Sequence, residues 1–308
     1  MLDLRQLTAL RAVALTGSVT RAARQLGWSQ PSVDYHLRNL DRLVGTPLLR
    51  RTTRGSTLTP AGMMMLEQGN RILNLSERAL KDVRAHAATG ATRLQFGAFP
   101  TAAAFLLPSL VGLAKQEGIH IQSTLEEFGQ LVSHVNRHEY DVVLVYSVPG
   151  YDLPFATDIQ TTEVFRDPLH LALPESHPLA VPEPIDVETL LTLDEENWLF
   201  GSTPDDPMDL VVIDAFRAAG HELEVAFRTD DFSVMLGMIA AGMVIGLVPS
   251  MAAGNAPAGV VLREIADPRF SRSLLLAAPS VGAGKEPPPT VARFAAVVRQ
   301  AIAEADLG

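Results

Sequence analysis

The chain has 308 residues, of which 47% are hydrophobic and 19% charged, with no cysteine and a formal charge of −10. That length carries two or three domains with their own cores, and the composition excludes a disordered chain. The missing cysteine excludes a disulfide scaffold, a thiolate metal site and a cysteine nucleophile, and no run of about 18 apolar residues offers a transmembrane helix.

The charge is divided unevenly. Residues 1–90 hold 13 Lys and Arg against 6 Asp and Glu, net +7, whereas residues 91–308 hold 12 against 29, net −17. A basic module on an acidic body expects a polyanion at the N-terminal end. The amphipathic start MLDLRQLTALRAV lacks the apolar core of a signal peptide, so a cytoplasmic protein is expected.

The first sixty residues read as three short helices. Leu4, Leu7 and Leu10 recur at helical spacing and stop near Gly17. Ser18 is an N-cap, and Val19, Ala22, Ala23 and Leu26 form a stripe closed by Gly27. Ser29 caps a third helix with Pro31 in its first turn, where a missing N–H does no harm. Its inward stripe is Val33, Leu37, Leu40 and Val44, ended by Gly45. The outward face then carries Pro31, Ser32, Tyr35, Arg38, Asn39 and Arg42, with Asp34 on the flank. Hydrogen-bonding and guanidinium side chains on one helix face suit base edges and phosphates in a major groove. Ser29 and Gln30 stand at the helix N-terminus, where free N–H groups meet a phosphate. The following TPLLRRTTRGSTLTP reads as a two-stranded wing with Arg50, Arg51 and Arg54 placed for backbone or minor-groove contact. This order is that of a winged helix-turn-helix.

Thr59-Pro60 starts a long helix that runs to about residue 89. Leu66, Leu73 and Leu80 repeat every seven residues, which fits a homodimer seam or packing against the helix's own domain. From Arg93 onward strands and helices alternate, giving an α/β region with a mainly parallel sheet. Expected strands include LQFGAF, IHIQSTL, DVVLVYS, LHLALP, NWLFGS, EVAFRT, MVIGLVP and SLLLAAP. Expected helices lie at 101–116, 129–138, 207–219, 231–241 and 290–305. About 215 residues is large for one sheet, so two subdomains with a ligand between them are expected.

The segment GSVTRAARQLGWSQPSVDYHLRNLDRLVGTPLLRRTTRGSTLTPAG resembles the helix-turn-helix signature of LysR-type transcriptional regulators. Ser18, Ala22, Ala23, Leu26, Ser29, Gln30, Pro31, Leu40, Gly45, Leu48, Arg51, Leu58, Thr59 and Gly62 match that pattern. PTAAAFLLPSL, YDVVLVY, DPLHLALPESHPLA and AAGMVIGLVP are similar to segments of the family's effector domain. The chain departs from the family at Asp34-Tyr35, where a Ser and a basic residue are usual, at Asp41, where Glu is common, and at Gly242-Met243-Val244.

The resemblance implies a winged helix-turn-helix over 1–60, a linker and dimerisation helix over 60–89, and a periplasmic-binding-protein-like effector domain over 90–308. Within the last, subdomain I spans about 91–163 and 268–308, and subdomain II about 164–267. It implies double-stranded DNA as partner, a homodimer or homotetramer, an effector of unknown identity, no membrane, and neither cofactor, metal nor catalytic residue. Positions matching the effector cleft are Pro100, Thr101, Phe128, Ser202, Thr203 and Asp231. The cleft stretches 97–104, 124–130, 145–152, 200–206 and 229–234 hold no Arg or Lys but several Asp and Glu. Helix dipoles alone, about 0.3–2 kcal/mol each, would hold a dianion poorly, so a neutral, cationic or singly charged effector is expected.

The rival is a small-molecule binding protein or α/β enzyme with no DNA role. His134 and His138 have the spacing of a helical metal pair, but no third ligand is evident, and Gly282-Ala283-Gly284-Lys285 lacks phosphate-loop spacing.

Overall fold

The computed structural model describes residues 1–52, 55–89, 92–204, 206–254, 256–280 and 286–305. By contacts the chain divides into two compact units: Met1–Gly90 with Arg137–Glu139, and Ala91–Asn136 with Tyr140–Gly308.

The N-terminal unit opens with α1 (Leu4–Thr16), α2 (Val19–Leu26) and α3 (Gln30–Val44). Local chemistry fixes each start. Asp3 accepts from Arg5 N and forms a capping box with Gln6, Ser18 accepts from Arg21 N, and Ser29 accepts from Ser32 N. The helices stop at Gly17, Gly27 and Gly45, as the sequence suggests. Leu7, Leu10, Val13, Ala22, Ala23, Val33, Leu37 and Leu40 close into one core. Val44, read as the last member of the α3 stripe, is instead 41% exposed, and Leu48 beyond the turn, 1% exposed, joins that core.

The wing is an antiparallel pair, β1 (Leu49–Thr52) and β2 (Gly55–Leu58), with Leu49 opposite Leu58. Asp41 pins the turn that leads to it: its Oδ1 accepts from Leu48 N at 2.9 Å. Helix α4 (Pro60–Thr89) follows for 30 residues, about 45 Å of helix. Gly62 in its first turn lies against the Leu48 carbonyl so closely that a Cβ there would collide with the backbone.

The larger unit begins with β3 (Thr92–Ala98), α5 (Pro100–Gln116), β4 (Ile119–Leu125), α6 (Phe128–Asn136) and β5 (Val142–Ser147). Then come β6 (Ile159–Pro174), α7 (Val187–Leu190), a 3-10 turn at Leu191–Leu193, β7 (Trp198–Phe200), α8 (Pro207–Ala218), β8 (Val225–Arg228) and α9 (Phe232–Ala240). The unit ends with β9 (Gly246–Pro249), α10 (Ser250–Ala253), β10 (Val260–Glu264), β11 (Ser271–Pro279) and α11 (Pro289–Glu304).

Seven strands form one sheet in the order β10-β6-β11-β5-β3-β4, with β9 also on β6, and β7 pairs with β8 apart from it. The expectation of a mainly parallel sheet is corrected. β3–β4, β3–β5 and β7–β8 are parallel, but β11 runs antiparallel to β5 and β6, and β9 and β10 antiparallel to β6. The cause is β6, whose first ten residues pair with β11 and whose end, LHLALP, pairs with β9 and β10. That first half alternates buried and exposed positions and carries Glu163 and Arg166, so it lacks the apolar run of a fully buried strand.

Candidate functional site

The outward face of α3 forms as read. Pro31, Tyr35, Arg38 and Arg42 are exposed, Ser32, Asp34 and Asn39 half-buried, and Val33, Leu37 and Leu40 turned inward. Tyr35, 59% exposed, stands edge-on to His36, which in turn packs on Trp28 at 5.3 Å. The aromatic pair holds the Tyr35 side chain off the helix. Arg38 reaches back to the Asp34 main-chain carbonyl through Nε, at 3.2 Å. Arg42 Nη1 donates to Asn39 Oδ1 at 3.2 Å, and Thr20 donates to Gln30 Oε1 at 3.0 Å, tying α2 to the start of α3. Ser29, Gln30 and Arg50 are exposed. Arg54 lies outside the described residues, as does the side chain of Arg51.

The heptad leucines of α4 do not share one exposed seam, which corrects that reading. Leu73, 4% exposed, sits in the core with Leu7 and Leu10, Leu66 packs half-buried on the same cluster, and Gly69 adjoins the Leu7 side chain. Only Leu80, at 57%, remains open. A seven-residue period serves packing on α1 as well as packing on a second chain. The apolar positions left exposed on this helix include Ile72, Leu75, Leu80 and Val83.

In the larger unit a cavity of about 410 Å3 opens beside the first turns of α5, α6 and α8. Pro100, Thr101, Phe128 and Thr203 line it, as the sequence suggests. Ser202 and Asp231 do not. Ser202 N donates to Asp230 Oδ1 at 2.9 Å, and Asp231 caps α9, accepting from Ser233 N at 2.8 Å. Asp231 borders a more open groove that shares Pro100, Thr101, Glu127 and Asp230 with the cavity.

The floor of the cavity is aromatic and buried. Tyr146 packs against Phe99 at 5.2 Å and Phe128 at 4.7 Å, and its hydroxyl donates to Asp206 Oδ2 at 2.6 Å. The Arg272 guanidinium lies 5.2 Å from both the Phe99 and Tyr146 rings, and its Nε donates to Asp167 Oδ2 at 2.9 Å. Arg272 and Asp167 are 2% and 0% exposed, so the pair is fully desolvated. Asp167 also accepts from Ser250 Oγ at 2.5 Å and Met251 N, which joins β6, β11 and α10 at one carboxylate.

One wall is a cluster of carboxyls around Gly201. Asp209 Oδ2 accepts from Gly201 N at 2.8 Å, Asp206 Oδ1 from Met208 N at 2.8 Å, and Arg228 Nη1 donates to the Gly201 carbonyl at 2.9 Å. Burial, and then the Asp206 charge, push the Asp209 carboxyl up to about 7. Burial likewise raises Asp206, against the hydrogen bonds from Tyr146 and Met208. Glu127 is raised by burial and by the charges of Asp230 and Asp206. Burial, and then Asp206, hold the Tyr146 hydroxyl well above its ordinary value.

The cleft stretches singled out in the sequence contain Glu127, Asp206 and Asp230, but not Asp209, and Arg272, Tyr146 and Phe99 were not foreseen as part of the site. Arg272 lies on β11, 105 residues from Asp167 in the chain, and no local pattern joins the two. The metal-pair reading fails on geometry. Helix α6 ends at Asn136, His138 beyond it has a φ of 57°, and His134 Nδ1 lies 2.6 Å from Glu126 Oε2. Among the described residues no group of three or more His, Cys, Asp or Glu is placed to hold a metal ion, and no helix is long and apolar enough to cross a membrane. Gly282–Lys285 lie outside the described residues.

Comparison with known proteins matches two families. Residues 4–63 fit the bacterial regulatory helix-turn-helix proteins of the lysR family, and residues 87–303 fit the LysR substrate binding domain. The small neutral protease regulatory protein of Streptomyces coelicolor is 30% identical over 278 residues, covering 90% of this chain and 82% of that protein. Full-length OxyR from Pseudomonas aeruginosa shares the fold with a TM-score of 0.63 at 20% identity, over 97% of this chain and 98% of that one. Full-length CbnR, solved in complex with its target DNA, does so with a TM-score of 0.62 at 24% identity, over 97% and 100%.

Proposed function

The chain belongs to the LysR family of bacterial transcriptional regulators, and from that premise we propose how its parts divide the work. The winged helix-turn-helix over 1–60 reads double-stranded DNA, the helix over 60–89 joins two copies, and the region from 90 onward senses a small effector. Its subdomains I (about 91–163 and 268–308) and II (about 164–267) enclose that effector in the cavity floored by Tyr146 and Arg272. The protein acts in the cytoplasm and carries out no catalysis.

One observation carries the DNA reading: the exposed row Pro31, Tyr35, Arg38 and Arg42 along α3, backed by a core that holds the helix rigid. Ser29, Gln30 and Ser32 at its N-terminus offer N–H and hydroxyl donors to a phosphate, while Arg50, Arg51 and Arg54 serve the backbone from the wing. Asn39 and Arg42, hydrogen-bonded to each other, present one amide and one guanidinium to the groove. Asp34 flanks Tyr35 and limits which bases approach. CbnR, a structural neighbour, is solved on its target DNA, and two copies of this chain would likewise place paired α3 helices on half-sites about one helical turn apart or a multiple of it. The exposed Ile72, Leu75, Leu80 and Val83 supply the apolar surface for that pairing.

A mobility-shift titration on the DNA flanking the gene tests this. Arg42→Ala and Arg50→Ala should each flatten the log–log salt dependence by about one unit. Tyr35→Ala should cost about 1–3 kcal/mol on the preferred site and relax the choice at one base pair. Retention of DNA that is insensitive to salt, or turnover of a metabolite without DNA retention, would sink the reading.

A further inference from the structure

Among the described residues, the charged side chains lining the cavity are Glu127, Asp152, Asp206 and Asp230 against Arg272. Arg272 is already matched by the buried carboxylate of Asp167, 2.8 Å from its Nη2. The four carboxyls thus outnumber the cations near them, which are Arg272, close to Asp206, and Arg228, outside the lining and close to Asp209. The acids around Gly201 converge: a Cβ built there would lie 3.1 Å from Asp230 Oδ1 and 3.2 Å from Asp209 Oδ2. Glu127, from the loop before α6, lines both the cavity and the adjoining groove together with Asp230.

The donors left open in the lining are at the first turn of α5. Arg272 Nη2 is buried and ion-paired with Asp167 at 2.8 Å, so it is not open to a ligand. The helices α8 and α9 are capped by Asp206 and Asp231, whereas the first turn of α5, next to Arg272's ring partner Phe99, has no side-chain cap. Phe99, Phe128, Tyr146 and Phe232 wall the space between the two ends.

We propose that the effector of this cavity is an organic cation: a protonated amine or amidine on a ring-sized apolar body, with a neutral hydrogen-bond acceptor at its far end. The assignment rests on the cavity being the effector site. The cation sits between Glu127 and the Asp206–Asp230 pair and relieves their mutual repulsion, while aromatic faces stabilise it further. The acceptor takes a free N–H of the uncapped first turn of α5. A carboxylate in the cavity would find the Arg272 guanidinium already paired and would add charge beside Asp206, which disfavours anions. Because Glu127 and the aspartates sit on separate elements, one cation draws both sides of the opening together.

The test is calorimetry on the full-length protein with three ring probes: tyramine, neutral 4-ethylphenol, and the anion 3-(4-hydroxyphenyl)propionate. Tyramine should bind at least tenfold more tightly than the neutral probe, with the anion weakest. Asp206→Asn and Asp230→Asn should each lower tyramine affinity at least fivefold and leave 4-ethylphenol unchanged, which a merely structural role would not do. Tyramine affinity should also rise from pH 6 to pH 8. Over that range Asp209, facing Asp206, Asp230, Arg228 and the Gly201 amide, loses its proton, while the probe's ammonium stays charged as a lysine does. Equal or tighter binding of the neutral or anionic probe overturns the cation and leaves the effector cavity standing. Failure of all three probes at about 10 mM overturns the cation and the cavity together, and DNA retention, measured separately, shows whether the regulator reading survives.

Discussion

Replacing Asp209 with Asn should stabilise the protein at pH 8 and do progressively less as the pH falls. Asp209 is 4% exposed, and its carboxyl is pushed from 3.8 to about 7 by burial and by Asp206. A shift of about 3 units corresponds to at most about 4 kcal/mol against the ionised form in the folded state. Water in the adjoining cavity and small rearrangements screen part of this, leaving about 2 kcal/mol. The sign follows from the raised value. The carboxyl's favourable contribution is complete below pH 3.8, where both states are protonated, and is lost as pH rises through about 7. Asn keeps an acceptor for the Gly201 N–H and has no charge to bury. Urea and thermal unfolding of the full-length variant, following the transition of the larger unit, should show a gain of about 2 kcal/mol at pH 8 that shrinks by more than half at pH 5. An offset of the same size at both pH values, or destabilisation at pH 8, would refute the argument.

Other substitutions test other joints. Arg272→Met leaves Asp167 charged, buried and short of its partner, and should cost about 3–5 kcal/mol in urea unfolding, with Asp167→Asn in the same chain recovering much of the loss. Gly62→Ala forces a Cβ into the Leu48 carbonyl, so the wing should shift and DNA retention fall, read by mobility shift alongside the melting of the N-terminal unit. Leu75→Arg places a charge on a residue that is 55% exposed, so the single chain keeps its fold while sedimentation should shift toward monomer. An unchanged sedimentation profile would remove this face of α4 from the pairing surface.

How far the sequence reached depended on the range of the interactions involved. The three N-terminal helices were legible to the residue at Ser18, Gly27, Ser29 and Gly45, because caps and helical periodicity act within a turn or two. The outward set on α3 followed from the same periodicity. The heptad on α4 was equally visible, yet the same spacing describes a seam with a second chain and packing on α1. Only the burial of Leu66 and Leu73 beside Leu7 separates the two uses.

In the larger unit the apolar runs marked β3, β5 and the end of β6, but not the half-exposed stretch at 159–168 or β10, whose short VVLRE run is mostly half-buried and ends in two charged residues. Missing those strands made the sheet look parallel, because strand direction is decided by partners far away in sequence. The cleft showed the same division. Thr101, Phe128 and Thr203 could be placed through the resemblance to the family's cleft, while Arg272 could not, since its role comes from Asp167 and the rings of Phe99 and Tyr146. By itself the sequence determined that a basic helical module precedes an acidic α/β region, since charge and periodicity are written residue by residue. Tertiary structure alone decided which leucines of α4 stay exposed, and that Arg272, already paired with Asp167, lies buried at the floor of the acidic cavity. Both depend on contacts between segments that chain distance does not bring together.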